Sequence, residues 1–121
     1  MKIRNFQDLK VWQKAHELVL LIYRVTKSFP NEEKFGIVIQ IRRSAASICS
    51  NIAEGYMKSR LDFLRYLDIS RGSLEETKYH LILARDLGYC AEDEYFMLIN
   101  LSNEVGRMMF GLQQSLRNKK V

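Results

Sequence analysis

The sequence predicts an all-α protein, an antiparallel up-down-up-down bundle of four helices. Apolar or small residues recur at alternating steps of three and four along most of the chain, which is typical of helices packed in a bundle. Three breaks divide this pattern, at Pro30, after Gly55 and at Gly88, and no segment has the alternation of a strand. Connections of about three to six residues make sequential helices antiparallel neighbours. With 121 residues, 47% of them hydrophobic, we expect residues 1–121 to form one domain.

The first helix is predicted over residues 8–28. Phe6 and Asp8 are interpreted as its staple residue and its start signal, and Pro30 marks the break that follows it. Its expected core positions are Trp12, Ala15, Val19, Ile22, Thr26 and Phe29.

The second helix is predicted over residues 32–56. Asn31 and the two glutamates that follow it favour a helix start, because acidic side chains are stabilised at the positive end of a helix dipole. Its expected core positions are Ile37, Ile41, Ala45, Ile48 and Ile52, with small residues around them. Small side chains let neighbouring helices approach closely, so we expect a tight contact on this helix.

The third and fourth helices are predicted over residues 60–87 and 91–117. Ser59 is a plausible cap for the third helix, and Gly88 is interpreted as a left-handed stop after it. The expected core positions of the third helix are Phe63, Leu67, Ser70, Leu74, Thr77, Leu81 and Ala84. Those of the fourth helix are Leu98, Leu101, Val105, Met108 and Leu112.

The first helix carries more apolar surface than one core-facing stripe needs, because apolar residues at 18–22 point around its whole circumference. The additional side chains could lie under a neighbouring side chain of the same subunit. The alternative that we favour is an interface with a second subunit. The candidate interface residues are Leu18, Leu20 and Leu21.

The residues support no catalytic site, cofactor or metal. The chain has no glycine-rich phosphate loop, no GxSxG motif and no HExxH motif. Its two histidines, His16 and His80, should lie too far apart to share a metal, and Cys49 and Cys90 are interpreted as free thiols. The longest strongly apolar run is far shorter than the ~20 residues that cross a bilayer. We therefore expect a non-enzymatic cytoplasmic protein with no membrane association.

The charge distribution predicts a polarised molecule, although the net charge is only +5. In the expected topology, both termini and the turn between the second and third helices share one end of the bundle. This basic end holds ten basic residues against three acidic ones, whereas the opposite end holds four against six. Such a surface is typical of RNA or DNA binding, and the alternative is that the charges serve only solubility. The candidate nucleic-acid-binding residues are Lys10, Lys14, Lys58, Arg60, Arg65, Arg117, Lys119 and Lys120.

A polar stripe interrupts the apolar second helix. Arg43, Ser47, Asn51 and Glu54 follow one another at steps of four, four and three, which places them along one helical face. We interpret them, with the adjacent Arg42, as a structural polar network, because an arginine and a glutamate on one face can pair without a ligand. The alternative is a ligand groove.

Several segments carry a resemblance to a known family: FQDLKVW at 6–12, FPNEEKFG at 29–36, QIRRSAASICSNIAEG at 40–55, GSLEE at 72–76 and ARDLGY at 84–89. In this order they resemble the four-helix-bundle proteins encoded in intervening sequences of bacterial large-subunit ribosomal RNA genes. The resemblance implies a bacterial cytoplasmic homopentamer without known enzymatic activity. It carries over to the second-helix residues Arg42, Arg43, Ser50, Asn51, Glu54 and Gly55. A related branch, the accessory variability proteins of diversity-generating retroelements, resembles a basic pentamer that binds nucleic acid and a protein partner, a reverse transcriptase.

Together these observations lead to two hypotheses. The first is a homo-oligomeric bundle that binds RNA or DNA through its basic end, alone or with a protein partner. The second is a protein-interaction scaffold with no role in nucleic-acid binding.

Overall fold

The computed structural model describes residues 2–118, and all regular secondary structure in that range is helical. The four α-helices are α1 (Lys10–Thr26), α2 (Ile37–Tyr56), α3 (Arg60–Asp86) and α4 (Glu92–Asn118). Short 3-10 turns at Phe6–Asp8 and Asn31–Glu33 precede α1 and α2. The predicted all-α bundle is therefore confirmed.

The pair formed by α2 and α3 makes the most extensive contact in the bundle. Gly55, near the end of α2, lies against Phe63 and Tyr66, near the start of α3. Farther along, Ser44 and Thr77 share a buried hydrogen bond of 2.8 Å. Later residues of α3 thus meet earlier residues of α2, and the two helices are antiparallel. The close contact agrees with the small side chains predicted to lie on α2.

The remaining helices complete a ring in which α1 contacts both α2 and α4. Arg60, at the start of α3, reaches the carbonyl of Leu116 near the end of α4, and Leu74 lies closest to Gly106 farther up the pair. These contacts make α3 and α4 antiparallel as well, as the up-down-up-down topology requires.

The core is one continuous apolar cluster between the four helices. All seven predicted core positions of α3 and all five of α2 are buried. On α1, Trp12 is only half-buried at the edge of the core, whereas Val11, Leu18 and Val25 are buried.

The second half of α4 departs from the prediction. Met109 and Gln113 are buried there, whereas Met108 and Leu112 are only partly buried. A helix has 3.6 residues per turn, so a strict three-four alternation drifts away from the core-facing side over a long helix. From Val105 onward, α4 follows two successive steps of four instead.

The first helix starts later than expected because its first turn is a separate element. The Asn5 side chain accepts a hydrogen bond from the N–H of Gln7, and the Asp8 carboxylate accepts one from the N–H of Asn5. Leu9 then adopts an extended conformation, so α1 begins at Lys10. Its last residue is Thr26, two residues before the predicted end.

The start of the second helix is also displaced, from residue 32 to Ile37. The segment Asn31–Glu33 forms a 3-10 turn, and Gly36 then has backbone angles outside the helical region, which interrupts the chain before α2. The predicted stop after α3 is confirmed, since Gly88 has a φ of 78°, a conformation that favours glycine.

Candidate nucleic-acid interface

The basic end of the bundle is organised around the turn between α2 and α3. Ser59 caps α3 by accepting a hydrogen bond from the N–H of Asp62. Arg60 follows, and its Nη1 donates to the Leu116 carbonyl at 2.9 Å. This bond brings the turn beside the end of α4, so that Lys58 and Arg117 lie at the same end of the bundle. Arg60 itself satisfies a carbonyl in the last turn of α4, which makes it a structural residue.

Two other candidate residues are neutralised by acidic neighbours. Arg65 forms an ion pair of 3.2 Å with Asp62. Lys14 lies 3.6 Å from Glu104 and 3.7 Å from Glu17. Because Glu104 is near the middle of α4, the assignment of Lys14 to the basic end is wrong. The offset between α1 and α4 along the bundle, which periodicity does not define, places Lys14 beside the middle of α4.

The remaining described cations of the basic end have no acidic partner within 4 Å among residues 2–118. They are exposed side chains: Lys2, Arg4, Lys10, Lys58 and Arg117. Lys10 lies beside Met108 and Leu112 on the α1–α4 side of the bundle. The Nζ of Lys58 is 5.9 Å from the centre of the Tyr66 ring. Lys119 and Lys120 lie outside the described residues.

The acidic residues of this end are already engaged in local contacts. Asp8 accepts the backbone N–H of Arg4 at 2.8 Å, and Asp62 is paired with Arg65. Glu54 accepts a hydrogen bond of 3.0 Å from the Tyr66 hydroxyl. That hydrogen bond, reinforced by the charge of Glu54, raises the pKa of Tyr66 above its ordinary value. The free cations of this surface therefore face solvent without nearby compensation.

Apolar residues beside the basic turn were not anticipated from the sequence. Met57, just after α2, is 81% exposed, and Leu61, the second residue of α3, is 70% exposed. Tyr56, at the end of α2, is half-buried and packs edge-on against Phe63.

The polar stripe of α2 divides into separate contacts. The Arg42 Nε donates to Thr26 Oγ1 at 2.9 Å, and its guanidinium stacks 4.5 Å from the centre of the Tyr23 ring, which joins α2 to α1. Among residues 2–118, Arg43 hydrogen-bonds only to Gln40 of its own helix. Arg43 and Glu54 do not pair with each other, because Arg43 bonds to Gln40 and Glu54 bonds to Tyr66.

Two other members of the stripe, Ser47 and Glu54, contact α3. Ser47 shares a hydrogen bond of 2.9 Å with Ser73, and Asn51 donates to the Ser47 Oγ at 3.0 Å. Glu54 reaches Tyr66, also on α3. These contacts fix α2 against its neighbours within one subunit, which supports the structural interpretation.

The three candidate interface leucines of α1 occupy different environments. Leu18 is fully buried in the core of the subunit, so its assignment to an intersubunit interface is wrong. Leu18 lies three residues after Ala15 and four before Ile22, which places it on their buried face. Leu21 is half-buried against the core, and Leu20 is 53% exposed. Only Leu20 of the three is mainly on the surface.

The histidines and cysteines do not form a reactive constellation. His16 stacks on Trp12 with ring centres 4.9 Å apart, whereas His80 lies 3.2 Å from Glu76 on α3. Burial raises the pKa of the Cys49 thiol to about 12 and also raises that of Cys90, so neither is an activated thiolate. Within residues 2–118, no group of three or more metal-binding side chains comes together.

The same range contains no helix with the length and apolar character needed to cross a membrane.

Comparisons with known proteins identify relatives by sequence and by structure. The model of the 23S rRNA-intervening sequence protein family matches residues 7–111. A crystal structure from Bacteroides thetaiotaomicron, described as a protein of unknown function from the S23 ribosomal protein family, is 33% identical. The match covers 84% of this chain and 96% of the other, with a TM-score of 0.78. No curated protein matches the sequence.

Proposed function

The chain belongs to the 23S rRNA-intervening sequence protein family, and from this membership and its basic end we propose that it is a cytoplasmic, non-enzymatic, self-assembling protein that binds RNA or DNA. The observation that carries the proposal is the pair Lys58 and Arg117. Both are exposed at the basic end of the bundle, and neither has an acidic partner within 4 Å among residues 2–118. Arg60 supports this surface by joining the turn to α4.

The proposed contact is with phosphates rather than with base edges. Lysine and arginine at the end of a bundle neutralise phosphates and release counterions, which gives affinity without sequence preference. The N-terminal Lys2 and Arg4 add exposed positive charge of the same kind. The exposed Met57 and Leu61 offer apolar contact to sugars or unstacked bases beside the phosphates.

The double substitution Lys58→Glu with Arg117→Glu is expected to weaken binding to structured RNA about tenfold or more, similarly for all sequences. The variant retains Arg60, because removing it would leave the Leu116 carbonyl without its partner. The measurement is a fluorescence anisotropy titration at several salt concentrations. The slope of log affinity against log salt should become shallower by about one for each phosphate that the variant no longer neutralises.

The matched control is Lys27→Glu with Lys34→Glu, which makes the same change in net charge with exposed residues of the opposite end. It should retain at least most of the affinity. Equal losses in both variants would mean that only overall charge matters. Wild-type protein that does not bind near physiological ionic strength would favour the alternative function, a protein-interaction scaffold.

Self-assembly is the second part of the proposal, supported by the exposed Leu20 on α1 and by the family resemblance to ring-forming bundles. Multi-angle light scattering is expected to report a homopentamer at micromolar concentration. Leu20→Lys should shift the mass toward the monomer, because it places a charge in an apolar contact. Met57→Lys, at an exposed methionine of the basic end, is the control. A monomeric wild type would refute self-assembly. The proposal of RNA binding would still be tested separately by the titration.

A further inference from the structure

An open groove lies outside the basic end, on the outer side of the contact between α3 and α4. It measures about 560 Å³, within the usual range for small-molecule sites. Gly106 lies on its floor, where an added Cβ would only touch Leu74 at 3.4 Å. The missing side chain leaves an open groove, lined by Arg71, Lys78, Asn103, Gly106, Arg107 and Phe110.

The groove carries excess positive charge. Arg71, Lys78 and Arg107 line it together with a single acidic residue, Glu75. Glu75 pairs with Lys78 at 3.0 Å but is itself 70% exposed at its side chain. Arg107 is exposed and has no acidic partner within 4 Å among residues 2–118. Two guanidinium groups from facing helices are thus left without a carboxylate.

A buried amide orients one of these guanidinium groups. Gln113 is fully buried, and its Oε1 accepts a hydrogen bond of 3.3 Å from Arg71 Nη1. The Gln113 Nε2 in turn donates to Asp68 at 2.8 Å. Arg71 is therefore held by a neutral group that leaves its charge available. Because both ends of this buried amide are hydrogen-bonded, its burial costs little, and it fixes the geometry of its partners.

The groove also presents an aromatic face. Phe110 lines it on α4, one helical turn from Arg107, and its side chain is 48% exposed. Guanidinium groups that line one groove from two helices suit a phosphate, and an exposed aromatic ring suits a nucleobase. Asn103, one turn before Arg107 on α4, supplies both a hydrogen-bond donor and an acceptor.

We propose that the groove between α3 and α4 binds a nucleotide, with its phosphate between Arg71 and Arg107 and its base against Phe110. The nucleotide is either free or one unit of a single strand, since both present a phosphate beside a planar base. The site is separate from the surface of Lys58 and Arg117, and it does not depend on the function proposed for that surface.

The test is a calorimetric and NMR titration of the full chain with adenosine monophosphate. We expect binding accompanied by shifts of the Gly106 and Phe110 amide signals. Adenosine and inorganic phosphate each present half of the ligand. Each should bind at least about tenfold more weakly than adenosine monophosphate. If the source is a strand, a short single-stranded oligonucleotide should bind more tightly than the mononucleotide and shift the same signals. If the source is a free nucleotide, the oligonucleotide should gain nothing.

Two exposed side chains provide variants that should fold normally. Arg107→Gln is expected to weaken adenosine monophosphate and phosphate alike by about tenfold, because it removes a charged donor. Phe110→Ala should weaken adenosine monophosphate but leave phosphate unchanged. The controls are Arg24→Gln, at an exposed arginine on α1, and Phe96→Ala, at an aromatic residue of α4 that is 50% exposed. Absence of signal shifts at millimolar nucleotide, or equal effects of variants and controls, would overturn the proposal.

Discussion

Gly55→Ala is expected to destabilise the protein by about 3 kcal/mol, which is large for the addition of one methyl group. A Cβ at this position would lie 2.5 Å from the Cβ of Tyr66 and 3.0 Å from Cδ1 of Phe63. The Cβ of Tyr66 is attached to the backbone and cannot rotate away. The two helices must therefore separate at their closest contact, which loosens the surrounding core.

The sign of this effect distinguishes packing from helix propensity. Alanine normally stabilises a helix by about 0.5–1 kcal/mol relative to glycine. Gly72→Ala provides the control, because Gly72 lies inside α3 and nothing lies within 4 Å of an added Cβ. Urea unfolding should show a lower midpoint for Gly55→Ala and a higher one for Gly72→Ala. Stabilisation by both substitutions would contradict the close approach of α2 and α3.

The sequence was sufficient to predict this contact in outline. The small residues of α2 indicated a close neighbour, and the positions on α3 from Phe63 to Ala84 were all identified as core. These predictions succeed because the buried face of each helix carries apolar and small residues at regular helical spacing, whereas the charged residues lie on the exposed face. Gln113 was missed, because a glutamine at a core position has no apolar signal.

The functional surfaces were harder to predict, because charges meet across helices. Lys14 was placed at the basic end from its position in the chain, yet it contacts Glu104. Arg60 was grouped with the free cations, yet it binds a carbonyl of α4. Both outcomes depend on the relative offset of the helices along the bundle, which periodicity leaves undefined.

The groove between α3 and α4 was missed for the same reason. Charges in the middle of the chain cancel when counted along the bundle, so this zone appeared neutral. In the structure, Arg71 and Arg107 face one groove with Lys78, whereas Glu76 pairs with His80 elsewhere on α3. A balanced count therefore conceals a local excess of positive charge.

Gln113→Glu is expected to destabilise the protein by about 3 kcal/mol at pH 7, although it hardly changes the size of the side chain. The substitution replaces the amide that donates to Asp68 at 2.8 Å with a carboxylate oxygen. Two carboxylates at this distance cannot both be ionised without strong repulsion. Arg71, which hydrogen-bonds to the other oxygen of residue 113, offsets only part of this repulsion.

The loss should be reversible with pH. The pKa of the introduced carboxyl is expected to rise in the folded state above the ordinary glutamate value of about 4.3. The stability that the protonated carboxyl allows is therefore fully present below about pH 4.3, the ordinary pKa of glutamate. It is lost as the pH rises through the higher pKa of the folded state. Urea unfolding at pH 7 and near pH 4 should therefore show that the difference from wild type shrinks in acid.

Two controls separate this repulsion from a general effect of added charge. Gln114→Glu makes the same change at the next residue, which is exposed, and should alter stability by no more than about 0.5 kcal/mol. Asp68→Asn combined with Gln113→Glu should restore most of the stability at pH 7, because an amide again faces a carboxylate. A loss that persists in acid and in the double variant would show that Asp68 and Gln113 do not meet, and that Arg71 is oriented by other means.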